Sequence, residues 1–178
     1  MENKIRSRTN TGTPTKSEIL IILKEEARKV GLDHIMKSSL YLLRDAQYIQ
    51  KGYREEYLKA YTNGFLLRIK EVKEDQNHYP DPIDPEILET ALELLESQQK
   101  MVEKLEESEP AFFQIYKIIS LYTTFILEEP VHQVGTLFPG GLRVKEDKGT
   151  YFCPVKRNNE NNPLAVCPFC IAKQDEEV

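Results

Sequence analysis

The 178-residue chain has no tryptophan, 8 glycines and 3 histidines. So little glycine, with no repeating period, excludes collagen-like and solenoid architectures. It holds 3 cysteines, an odd number, which argues against a secreted disulfide framework and for a reducing, cytoplasmic setting. An apolar core for a signal peptide is missing from the N-terminal residues, and no stretch reads as a membrane span. Basic excess is absent too. With 24 Lys and Arg against 29 Asp and Glu, the net charge of -5 argues against a broad electrostatic nucleic-acid surface. No glycine-rich phosphate loop precedes a helix, and no Ser or Cys nucleophile stands at a known catalytic spacing.

What is present is helical patterning over the first 130 residues. Residues 1–14 hold little to bury and read as a disordered arm with Lys4, Arg6 and Arg8 against Glu2. A helical domain follows over 15–130. Thr15 and Glu18 have capping-box spacing, and Ile19, Ile22, Leu23, Ala27 and Val30 share the face behind them. Gly31 ends that helix and Asp33 caps the next. The second stripe is Ile35, Leu42, Ala46, Ile49 and Tyr53, widened by Met36 and Leu43. A third helix carries Tyr57, Tyr61, Phe65, Ile69 and Val72. Asp84 followed by Pro85 opens a fourth, running to about Ser108 with Leu88, Ala91, Leu95, Val102 and Leu105 inward. Its many acids read as a solvated face. Pro110 opens a fifth, to about Leu127, apolar all round and therefore central and buried rather than membrane-spanning. The fold class is mainly α: a bundle of about five helices with a small C-terminal β-hairpin and metal-knuckle tail.

After Pro130 helical periodicity stops. Phe138-Pro139-Gly140-Gly141 suits a type II turn. Leu142–Lys145 and Thr150–Val155 read as two strands joined through Asp147-Lys148-Gly149. Residues 131–178 are too poor in large apolar side chains to stand alone, so the tail is expected to pack on the helical domain around a staple.

All three cysteines fall in this tail, as Cys153, Cys167 and Cys170 in a C-x13-C-x2-C pattern. A C-x2-C turn lets two thiolates converge on one ion, and a cysteine on a preceding hairpin is a common third ligand. His132, at the start of the same segment, is the best fourth ligand; His34 and His78 belong to the helical half. The set predicts a metal site, zinc first and an iron–sulfur cluster as the alternative. Cys167-Pro168-Phe169-Cys170 also has the form of a glutaredoxin redox turn, but the strand before it and the sheet after it are missing. A thiol redox role, with Cys153 as resolving thiol, is the lesser alternative. Glu128 and Glu129 oppose a helix dipole and are expected to pair with a nearby Lys or Arg rather than with the His132 ring.

The stretches Glu128-Glu129-Pro130-Val131-His132, Gly135–Leu142, Tyr151–Lys156 and Cys167–Ala172 resemble an archaeal family found chiefly in methanogens, domain of unknown function 2115. Its pattern includes His132 and the three cysteines. Gln133 stands where the family often has proline. The resemblance implies a cytoplasmic archaeal protein with a metal-like C-terminal motif, and brings no activity. Two classes of function stay open. One is a helical binding or scaffolding protein, acting on a protein partner, whose zinc staples the tail. The other is a metalloenzyme or cluster protein with an open metal position.

Overall fold

The computed structural model describes residues 1–104 and 109–177. Among them are seven α-helices of seven residues or more, against the five expected, because the N-terminal arm is helical and the third helix is broken in two. In order they are α1 (Glu2–Thr9), α2 (Lys16–Arg28), α3 (Leu32–Asp45), α4 (Arg54–Tyr61), α5 (Arg68–Glu74), α6 (Pro85–Val102) and α7 (Pro110–Leu121).

Two of the helix starts are set by the expected caps. Thr15 Oγ1 accepts from Glu18 N–H, and Glu18 returns the bond to Thr15 N–H at 2.8 Å. Asp84 accepts from the amides of Glu86 and Ile87, with Pro85 in the first turn. Asp33 does not cap α3. The cap is Gly31, and Asp33 lies in the first turn. A π-helical stretch, Thr62–Leu67, joins α4 to α5, and another, Tyr122–Leu127, extends α7. The expected run of α6 to Ser108, with Leu105 inward, lies outside the described residues.

The core forms where these faces meet. α7 packs against α2, α3, α5 and α6, and Ile115, Ile119 and Leu121 are completely buried. The span Pro110–Leu127 is the one helix among the described residues long and apolar enough to cross a membrane, and 67% of it is buried inside the protein. Its last turn ends on Glu128 in the left-handed region (φ 54°), a place glycine usually takes. Glu129 N–H then reaches back to Thr123 O at 2.8 Å. Deeper in, the Asp75 carboxylate at the end of α5 accepts from Tyr122 (2.8 Å) and Tyr79 (3.0 Å).

Two expectations need correction. The first 14 residues are not a solvated arm: α1 drives Ile5 into the core at 0% exposure. Arg6 bonds to Glu89 and Glu96 on the acidic face of α6, and Lys117 bonds to Glu2 at 2.6 Å. One buried isoleucine and four charges would not order a segment alone; here the charges that order it belong to distant helices. Ile5→Ala is accordingly expected to cost about 2–5 kcal/mol in urea unfolding, where a solvated arm would give almost nothing. Second, Met36 and Leu43 do not widen the buried stripe of α3, since both are more than half exposed.

In the tail, β1 (Lys145–Asp147) pairs antiparallel with β2 (Thr150–Cys153). Lys148 and Gly149 join them, both with positive φ, as a type I′ hairpin turn requires. β3 (Lys173–Gln174) adds a third strand parallel to β2, beyond the two-stranded hairpin expected. One cluster of buried side chains runs from Ile5 through α7 to Val131, Val166 and Phe169 of the tail.

Candidate metal centre

Pro130 and Val131, both buried, turn the chain off the end of α7 and place His132 against the aromatic residues of the α4–α5 segment. The imidazole meets Phe138 edge-on at 5.4 Å between centroids, Tyr61 at 6.1 Å and Phe65 at 6.4 Å. Phe138 is held there by the expected turn: Gly140 has φ +87°, and Gly141 N–H donates to Phe138 O. Tyr53 fastens the same loop by donating its hydroxyl to Leu137 O. Among the described residues His132 makes no hydrogen bond. It keeps some accessible surface because it lines a cavity, yet burial pushes its pKa down to about 4. It is therefore neutral at pH 7, with a ring lone pair available to a ligand.

Cys153 ends β2, buried, and the backbone amides of Val155 and Lys156 donate to its sulfur. Burial nevertheless raises its pKa. Cys167 and Cys170 bracket a turn in which Phe169 N–H and Cys170 N–H both donate to Val166 O, at 3.2 and 3.0 Å. Phe169 stacks on Phe125 at 6.2 Å and pins the turn to the π-helical stretch that extends α7. Gln98 of α6 donates to Ala165 O at 2.9 Å. Lys156 Nζ donates to Cys170 O and Ala172 O, at 2.8 and 2.6 Å, and its charge favours the ionised form of Cys153 and Cys167. Cys167 is still pushed up to about 11, by burial first and then by the neighbouring Cys153 and Cys170 thiols. An activated redox thiol needs the opposite shift.

His132, Cys153, Cys167 and Cys170 all line one cavity of about 280 Å³. They are not drawn into a coordination set: among the described residues no group of three or more His, Cys, Asp or Glu could hold a metal ion. The expected metal knuckle is not shown: the four side chains border one cavity without forming a coordination set. The physical reason lies in the thiols. Burial raises the pKa of Cys153 and Cys167, so these two pack as small, neutral, apolar groups with no charge to converge upon.

Glu128 and Glu129 pair as expected with cations. Lys16 lies 2.9 Å from Glu128, and Arg68 donates to Glu129. The aromatic lining is the part of the site that sequence spacing does not announce. Tyr53, Tyr57 and Tyr61 face the cavity with Tyr116 and Phe138. Their spacing of four residues is a signal, but it reads as plain core. A larger groove of about 830 Å³ lies against the same Tyr57, Tyr61 and Tyr116.

Comparison with known proteins adds a family. The model of "uncharacterized protein conserved in archaea (DUF2115)" matches residues 15–175. A UPF0305 protein of Methanothermobacter thermautotrophicus is 37% identical over 164 residues, covering 92% of this chain and 99% of that protein. A UPF0305 protein of Methanocaldococcus jannaschii is 30% identical, covering 90% of this chain and 97% of its own. One from Methanopyrus kandleri is 31% identical over 76% of this chain and 94% of its own. No solved structure matches.

Proposed function

The chain belongs to the archaeal family DUF2115, and from there we propose that it is a helical binding protein stapled by one zinc ion on Cys153, Cys167, Cys170 and His132. The observation that carries this reading is the shared cavity. Four donors from three stretches of the tail border the same space of about 280 Å³. The donor chemistry supports zinc: three sulfurs and a neutral imidazole make an ordinary closed set. Three thiolates on a divalent ion leave one net negative charge, and Lys156 is the cation beside two of these sulfurs. Filling the site means expelling thiol protons, so retention should weaken as pH falls.

Metal analysis of anaerobically purified protein tests this. The expected sample is colourless with about one zinc per chain. His132→Ala should lose zinc faster to a competing chelator while keeping its helical signal. Protein without stoichiometric metal refutes the reading. A second reading, a cluster protein or metalloenzyme with an open metal position, is favoured by the groove that shares its tyrosines with the cavity. A brown sample with broad visible absorption selects it.

A further inference from the structure

Helix α3 presents an unusual outer face. Leu32, Met36, Leu40 and Leu43 are 75%, 58%, 60% and 53% exposed. Steps of 4, 4 and 3 residues place them in a single stripe along the helix. The opposite face, with Ser38 and Leu42 buried, holds α3 against α7. Four large apolar side chains in a row on solvent form a contiguous patch of the kind that marks an interaction site. Scattered exposed leucines would need no such explanation.

The charges beside the stripe indicate its partner. At 100° per residue, Asp33, Lys37 and Arg44 all fall on one flank of it, and all are exposed. Asp33 lies at the N-terminal end and Arg44 at the C-terminal end, about 16 Å apart along the axis. Among the described residues Arg44 makes no ion pair, and the Asp33 carboxylate is 64% exposed beside His34. When two identical helices pair antiparallel across a two-fold axis, each flank faces its own copy, run in reverse. Asp33 then meets Arg44 of the other helix, twice, and Met36 and Leu40 lie at the centre. A parallel pair would match this flank with the other one, which carries Ile35 and Ser39 and no charge.

We propose that a second copy of this chain docks antiparallel on the α3 stripe through Leu32, Met36, Leu40 and Leu43, with Asp33 and Arg44 setting the direction. Lys37 falls near the axis and meets its own copy; its long stem lets the two ammonium groups turn outward. The opposed helix dipoles add to the antiparallel preference. Four side chains a side is less than the roughly 800 Å² per partner of a standard interface. The dimer is therefore modest in strength, with a dissociation constant on the order of 10 µM.

Sedimentation equilibrium of the full chain from about 1 to 200 µM tests it, a range that brackets the expected constant. The apparent mass should rise from 20.7 kDa toward twice that value. The Met36→Glu/Leu40→Glu double variant should stay monomeric throughout with unchanged far-UV signal, since both side chains are already in water. Asp33→Arg alone should weaken the dimer by roughly three- to tenfold, from two symmetric surface pairs. Asp33→Arg/Arg44→Asp should restore it. A wild-type chain that stays monomeric, or a dimer that survives the double glutamate, overturns the proposal. A charge swap that fails to restore association overturns the antiparallel direction.

Discussion

Cys167→Ser is expected to strip the metal from the protein and open residues 131–178 to protease, while the helices keep most of their far-UV signal. Two anchors of unequal strength would hold the tail. A structural zinc contributes folding free energy on the order of 10 kcal/mol in small modules. Without it the tail keeps its buried Val131, Val144, Val166 and Phe169, each worth about 1.5–3 kcal/mol of burial before entropy is subtracted. Those contacts keep the tail near the bundle but leave its polar loops open to cleavage. Cutting should begin between α8 (Lys156–Asn159) and Cys167, where Leu164 is 43% exposed. Limited proteolysis with metal analysis on the same samples reads both effects. If the variant holds its metal and resists protease like the parent, the staple is refuted. If chelation of the parent protein leaves the tail resistant, zinc is bound there but holds nothing in place.

Phe65→Ala should lower the stability of the fold by about 3–5 kcal/mol. Phe65 is 1% exposed and sits where the helical core meets the candidate site. Its ring stacks on Tyr61 at 5.3 Å and on Tyr116 at 5.4 Å, and meets His132 at 6.4 Å. Removing it opens a cavity bordered by rigid rings that cannot collapse inward, which places the cost high in the usual range. For a chain of this length each kcal/mol is about 2–4 °C of melting temperature, so a fall of roughly 6–20 °C is expected. Leu40→Ala, on the exposed stripe, should change the monomer by less than about 0.5 kcal/mol. Thermal and urea unfolding at low protein concentration measure both. A Phe65→Ala protein that melts with the parent would show that this aromatic cluster does not hold the core together.

Local signals are legible wherever a feature needs only its neighbours in sequence. The Thr15–Glu18 box, the Asp84-Pro85 start, the Pro139-Gly140 turn and the mostly apolar stretch from Pro110 to Leu127 are of this kind. Each is a short-range rule of hydrogen bonding, φ preference or periodicity, and each appears in the structure where the residues place it. His132 and the three cysteines line one cavity, but the metal set that their spacing predicts is not assembled there.

Tertiary structure decided the rest, because those outcomes depend on which surfaces meet. Helix α1 is ordered by Glu89, Glu96 and Lys117, more than 80 residues away in sequence, and no local pattern in 1–14 announces them. Met36 and Leu43 carry the right period to be core, yet the arc of α3 that α7 covers excludes them. Short β3 exists only because the end of the tail returns alongside β2. Tyr53, Tyr57 and Tyr61 belong to an ordinary helical stripe until the loop after Pro130 folds over them and makes them the wall of a cavity. Periodicity states which face of a helix is apolar. Whether that face meets the core, a cavity or water is settled only when the remaining segments compete to cover it.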